Sequence, residues 1–330
     1  MADLDTVALD ALAAEKGFTG AVQLGEWKAA YGEADRAHRI ANTLDTKFGL
    51  ASGNKAMTAL VVMSLVRDGT LSLATTARSL LGEDLPLVDD AVTVEHLLAH
   101  RSGIGDYLDE DLPGDIDDYA MTRPVHELDS TEAFVPMLGG FAQKFAPGSA
   151  FSYCNGGFIV LALLAERSSG MGYHDLVRDV VLAPSGMVES GFLRSDRLPG
   201  DAALGYLEDG RTNVFHLPVL GNGDGGMYST LADMERFWDA LFGGRILPRD
   251  VIDEMVAPRS DVPEESGRYG LGFWLDAEGP GVWLTGYDAG ASFWSRRDPT
   301  TGHTATVMSN TSEGAWPLVW SLRDAADTKS

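Results

Sequence analysis

Phe48-Gly49-Leu50-Ala51-Ser52-Gly53-Asn54-Lys55-Ala56-Met57-Thr58-Ala59-Leu60 places a serine three residues before a lysine, at the entrance to a long apolar run. From Ala56 to Val66 that run has helical spacing and no Pro or Gly. It predicts a helix with Ser52 at or just inside the N-terminus and Gly53 and Asn54 in the first turn. Three residues make about one turn, so Lys55 returns to the face that carries Ser52. A serine hydroxyl is a poor nucleophile at neutral pH until a base takes its proton, and a lysine becomes that base when burial lowers its pKa. The first-turn amides also offer free N–H groups to developing negative charge. This pairing is specific within the chain, because none of the other lysines has a serine three residues before it.

Composition sets the bounds around this stretch. A chain of 330 residues, 45% of them hydrophobic, can bury a large core as one large unit or two interleaved ones. No run reaches the roughly 20 apolar residues of a membrane span. Met1 to Asp5 lacks the basic and apolar regions of a secretory leader, which points to the cytoplasm. The single cysteine, Cys154, excludes an internal disulfide framework. A net charge of −24 argues against nucleic acid and anionic membranes as partners and favours neutral or cationic substrates, although an acidic surface also serves solubility alone.

Outward from Ser52, the pattern alternates between strands and helices. Leu4 to Lys16 reads as a helix stopped by Gly17, Gly20 to Gly25 and Trp27 to Tyr31 as two strands about a turn, and Lys47 to Leu50 as a third strand leading into Ser52. Asp106 to Asp129 is acidic and aperiodic, a long loop over one side of the site. Helices are expected over Thr131 to Phe145, Phe158 to Ser168, Leu176 to Val181 and Thr230 to Leu241, the last capped by Ser229 or Thr230. Tyr269 to Leu275, Val282 to Thr285, Ala291 to Arg296 and Thr304 to Met308 read as consecutive antiparallel strands, and Gly314 to Ala326 as a closing helix. Strands at both ends with helices between imply an α+β fold: one sheet built from residues of about 1–70 and 260–330, and an inserted helical region of about 71–259 within a single unit of 1–330.

The chain contains one Tyr-x-Asn, at Tyr153-Cys154-Asn155. Together with Ser52-x-x-Lys55 it resembles the serine β-lactamase and penicillin-binding-protein-like hydrolases, particularly their class C and esterase branch. His96-Leu-Leu-Ala-His100-Arg-Ser-Gly103, Ala146 to Tyr153, Gly186-Met187 with Gly191-Phe192, and Gly223 to Thr230 fit the same pattern in the same order, so the resemblance covers residues of about 10–325. It implies an antiparallel sheet flanked by terminal helices with an all-helical region inserted, and a site at their junction. It further implies that Ser52 forms an acyl-enzyme without metal or cofactor, that Lys55 and Tyr153 share the proton transfers, with Tyr153 made acidic by its cationic neighbour, and that Asn155 holds Lys55 and the substrate. The natural substrate would be an ester or amide of a small molecule or short peptide. A β-lactam or D-amino-acid peptide, acyl transfer in a biosynthetic pathway, and a non-catalytic binding homologue are the alternatives.

The third family motif, a Lys or His, a small residue and Gly on the strand beside the site, is where this chain departs. Aligning Asp288-Ala289-Gly290 with it makes Ala291 the second oxyanion N–H donor and sets Tyr287, Asp288, Gly290 and Ala291 along the substrate, with no Lys or His in any nearby register. A carboxylate there would repel carboxylated substrates, whereas Arg296 and Arg297 could restore positive charge. Asp288 is equally at home as a turn residue. Other features read as structural. His96 and His100 would share a helix face but lack the His-Glu-x-x-His context of a zinc protease; Gly221 to Gly226 lacks the strand-turn-helix unit of a dinucleotide loop; and Cys154 has no adjacent histidine in sequence and reads as packing. The Gly-x-Ser-x-Gly elbow of α/β-hydrolases is absent.

Overall fold

The computed structural model describes residues 6–327, so the first two residues of the helix expected from Leu4 lie outside the described residues. The main elements are α1 (Thr6–Lys16), β1 (Gly20–Leu24), β2 (Trp27–Tyr31), α2 (Lys55–Arg67), α3 (Asn155–Ser169), α4 (Leu231–Phe242), β3 (Ser260–Val262), β4 (Gly267–Tyr269), β5 (Trp274–Asp276), β6 (Val282–Asp288), β7 (Ala291–Arg297), β8 (Thr304–Ser309) and α5 (Trp316–Asp327). Eight strands form one sheet in the order β2-β1-β8-β7-β6-β5-β4-β3, antiparallel throughout. The chain's two ends therefore meet in this sheet, at the β1–β8 pairing of Ala21 with Met308 and Val22 with Val307.

Strand periodicity assigns the two faces. Val22, Trp283, Trp294 and Val307 point to one side, where they pack with Leu9 and Ala13 of α1 and Leu318 and Leu322 of α5. Their neighbours Ala21, Leu284, Phe293 and Met308 point to the other, against Met57 and Leu60 of α2 and Phe237 and Trp238 of α4. Both faces are covered, so successive residues of β1, β7 and β8 are buried whichever face they point to. This is the α+β arrangement that the resemblance implies, an antiparallel sheet flanked by the terminal helices.

Three local expectations need correction. The strand read over Tyr269 to Leu275 is a hairpin, because Gly270 and Gly272 allow a turn in which the Gly270 N–H donates to the Phe273 carbonyl (2.9 Å), with Gly272 at φ +82°. The helix expected over Thr131 to Phe145 stops at Leu138, where Gly139 turns extended and Gly140 adopts φ +92°. Phe48–Gly49 is a strand, but it pairs with Met227–Ser229 in a separate three-stranded sheet. This small sheet, with Gly191–Phe192 as its other edge, delivers the chain to Ser52.

Candidate active site

Ser52 lies in a short 3-10 turn, Ala51–Asn54, that runs straight into α2. Ala51, immediately before it, is held at φ +46°, a conformation that costs an L-residue about 1–2 kcal/mol and turns the chain sharply at the serine. The next turn of helix carries Lys55 back as the spacing requires: its Nζ donates to Ser52 Oγ at 2.8 Å, to Asn155 Oδ1 at 2.7 Å and to the Asp224 carbonyl at 2.8 Å. Lys55 is buried, and desolvation pushes its pKa down against the opposing pull of Asp224, Glu110, Asp288 and Asp106.

Tyr153 and Asn155 arrive from the start of α3. Tyr153 lines the same groove as Ser52, and its ring lies 4.8 Å from Lys55 Nζ. Burial first, then the Glu110 carboxylate, drive its pKa well above that of a free phenol, with Ser52 opposing. This corrects the expectation of an acidified tyrosine: Tyr153 is a neutral phenol, a group that gives a proton rather than one waiting to take it. The turn that holds it is clamped on two sides. Asp106 accepts from the backbone N–H groups of Asn155 and Gly156, and His100 Nδ1 accepts from Cys154 N–H at 3.0 Å while its ring packs 4.3 Å from that of Tyr153. His96 and His100 share no helix face, because the helix ends at Leu98 and His100 sits beyond it at φ +53°. His96 instead caps that helix through Thr93.

The acidic loop closes one side. Tyr107 donates its hydroxyl to the Asp224 carboxylate, and Asn155 Nδ2 donates to the Leu108 carbonyl (3.0 Å) and to Glu110 Oε1 (2.8 Å). Crowding around its carboxylate raises the Glu110 pKa, although much of the residue faces open space. Sequence reasoning noted this loop and the Gly221–Gly226 turn only as neighbours of the site. It missed Asp106, Tyr107, Glu110 and Asp224 as members of it. Their only signals were an acidic run and a glycine-rich turn, and neither reveals which carboxylate points inward.

On β6 the expected register moves four residues upstream. Gly286 is the glycine against the nucleophile: a Cβ added there would lie 2.9 Å from Ser52 N and 2.1 Å from the Leu50 carbonyl oxygen. Leu284-Thr285-Gly286 thus borders Ser52, with leucine at the first position. Gly290 forms the hairpin turn at φ +72° and donates its N–H to Ser312 Oγ (2.8 Å), while Ala291 is the ladder partner of Asp288. That pairing turns the Ala291 amide into the β6–β7 ladder, so it is not the second oxyanion donor. Ladder alternation identifies the amide that can be. Asp276 N–H donates to Gly281 carbonyl (2.9 Å), so odd-numbered residues from Gly281 direct their backbone groups toward β5. Pairing with β5 ends at Trp283, which leaves Thr285 and Tyr287 with a free edge on the Ser52 side.

Tyr287 and Asp288, expected along the substrate, both border open space shared with Ser52. Asp288 lines a narrow inner pocket with Ser52, Asn155 and Asp224; Tyr287 lines a wider outer groove with Ser52 and Tyr153. The Asp288 carboxylate rests beside Gly225, and burial, then Asp224, raise its pKa to about 7, with Lys55 opposing. Arg296 does not restore positive charge, because its guanidinium is paired with Asp276, and Arg297 is paired with Asp239. Among the described residues no group of three or more His, Cys, Asp or Glu has the arrangement of a metal site.

A nucleophilic serine beside a buried lysine, backed by a phenol and an amide at a sheet–helix junction, defines a serine-acylating class of protein. The chain belongs to the Beta-lactamase family, whose pattern it matches over residues 18–326. Among solved structures it is similar to a penicillin-binding protein from Bacillus halodurans, with 35% identity, a TM-score of 0.88, and coverage of 96% of this chain and 99% of that one. Among curated proteins it is 28% identical to a Bacillus subtilis (strain 168) chain named as a penicillin-binding protein, PbpX, over 79% of this chain and 63% of that one. It is also 29% identical to esterase EstB of Burkholderia gladioli, over 98% and 94% respectively. This chain thus spans under two thirds of PbpX but nearly all of EstB.

Proposed function

We propose that this chain is a serine hydrolase that forms an acyl-enzyme at Ser52 and cleaves an ester or amide of a neutral or cationic small molecule or short peptide. The observation that carries the reading is the 2.8 Å contact between Lys55 Nζ and Ser52 Oγ inside a site that lowers the lysine pKa. In its free-base form Lys55 takes the hydroxyl proton as Ser52 Oγ bonds to the substrate carbonyl carbon. The electron pair displaced onto the carbonyl oxygen is stabilised by the N–H groups of Ser52 and Tyr287. As the tetrahedral intermediate collapses, the bond to the leaving group breaks. Tyr153 donates its proton to that group and is reprotonated from Lys55. Water then attacks the ester of Ser52 by the reverse proton route and releases the acid.

Charge preference rests on Asp288, Asp224 and Glu110, which surround Lys55 with negative potential and offer no partner to a substrate carboxylate. Esterase and amidase chemistry is therefore favoured over β-lactam or carboxylated-peptide cleavage. A fluorophosphonate should label Ser52 in the folded protein, and p-nitrophenyl acetate should turn over faster than nitrocefin. Absence of labelling would replace the hydrolase by a binding homologue, and fast nitrocefin turnover without ester hydrolysis would reverse the substrate assignment.

A further inference from the structure

The outer groove contains a feature that the proton-transfer chemistry does not require. Its floor is a series of rings that begins at the general acid: Tyr153 stacks on Trp274 with centroids 6.2 Å apart and planes 18° from parallel, and Trp274 stacks on Trp283 at 4.9 Å and 11°. Arg323 of α5 closes the far end, with its guanidinium carbon 5.4 Å from the Trp283 ring centroid. Helix α5 also lines the groove, with Trp316 and Trp320, and Trp320 is 59% exposed. Trp294 also lines this space, and its buried indole N–H has no acceptor among the described residues.

Trp274 and Trp283 are themselves buried within the stack, whereas Trp320 in the same groove is exposed, and an exposed indole is favourable to cover with another flat π-system. Ser52 and Tyr153 line the groove too, so a substituent that fills it sits next to the reacting carbonyl. Because the ring series starts at the residue that protonates the departing atom, the filling group is the one that departs. The rim charges, Glu110, Glu264, Glu265 and Glu313 against Arg323, disfavour an anionic ring.

We infer that the groove lined by the Tyr153–Trp274–Trp283 stack and Trp320 is a leaving-group subsite for a neutral or cationic aromatic alcohol or amine, which makes aryl esters and arylamides the favoured substrate class. This rests on the hydrolase reading above and narrows it. The test compares 2-naphthyl acetate with a fluoroalkyl acetate whose alcohol has the same acidity as 2-naphthol, so that intrinsic reactivity is matched and only the ring differs. The expected ratio of kcat/KM values favours the naphthyl ester about tenfold or more. Trp320→Ala should reduce that ratio about threefold to tenfold, Trp320→Phe should restore most of it, and free 2-naphthol should inhibit wild-type competitively. Trp320 is exposed, so its replacement leaves the core intact, and circular dichroism checks this. A wild-type ratio near one, or a ratio unmoved by Trp320→Ala, overturns the subsite while leaving the hydrolase reading in place. If neither ester turns over and Ser52 resists a fluorophosphonate, the hydrolase reading falls and the subsite with it.

Discussion

Asp288→Asn removes one negative charge from the inner pocket while keeping the size and shape of the side chain, so it isolates the electrostatic part of substrate choice. A substrate charge seated about 7 Å from that carboxylate interacts with it by about 2 kcal/mol at an effective dielectric of about 20, or roughly 30-fold in kcat/KM. The direction with pH follows from the raised pKa of about 7. Below it Asp288 holds a proton and is neutral; above it the carboxylate forms, attracts cations and repels anions. Two p-nitrophenyl esters with permanent or fully ionised charges make the assay clean, one of trimethylglycine and one of succinate. In wild type the kcat/KM ratio of the cationic to the anionic ester should rise between pH 6 and 8.5. In Asp288→Asn that rise should shrink, and at pH 8.5 the ratio should fall by more than tenfold. A wild-type ratio that is flat with pH and unchanged by the substitution would refute the placement of Asp288 beside the substrate.

Other perturbations probe the remaining parts of the site. Ser52→Ala should abolish acylation, read as loss of the covalent adduct by mass spectrometry. Tyr153→Phe removes the phenolic proton and should lower kcat by roughly 10² or more, measured on an ester with a poor leaving group, where protonation matters most. Gly286→Ala would drive a methyl toward the Leu50 carbonyl and Ser52 N and should cut acylation sharply; near-normal burst kinetics in this variant would reject the revised register. Asp106→Ala strips two N–H groups at the start of α3 of their acceptor and should cost about 1–2 kcal/mol of stability in chemical denaturation, together with a loss of kcat.

What the sequence revealed and what it concealed divide along contact distance. Ser52 and Lys55 were legible because one helical turn joins them, and Tyr153 and Asn155 because their spacing matches a pattern tied to the same chemistry. The sheet was legible from the strand segments at both ends of the chain, such as Gly20 to Gly25 and Thr304 to Met308, with helices between them. Asp288 looked like the third-motif residue because Gly290 mimics the glycine that Gly286 supplies. Both lie in small-residue contexts, and only the close approach to Ser52 tells them apart. Asp106, Glu110 and Asp224 were illegible as site members for another reason. Each is one of many acids in this chain, and its role comes from meeting Lys55 across 51 to 169 residues of sequence, which no local rule anticipates.

The same carboxylates set the terms on which Lys55 can act. Desolvation favours the free amine that a base requires, while Asp224, Glu110, Asp288 and Asp106 all favour the ammonium, so the resting site holds two opposed influences on one nitrogen. Tyr153 feels those negative charges in the other direction and stays protonated. A cationic substrate entering the inner pocket neutralises part of the field on Lys55, which removes support for the ammonium and releases the amine toward its base form. An anionic substrate has no such effect and adds to the negative potential. On the proposed reading, substrate charge would enter twice, once in binding beside Asp288 and once in the readiness of Lys55 to take the Ser52 proton. A lysine in the place of Leu284 would erase both contributions, because a fixed cation would neutralise the field before any substrate arrived. The departure at the third motif and the acidic loop act in the same direction: Leu284 supplies no cation beside Ser52, and Glu110 and Asp106 add negative charge around Lys55.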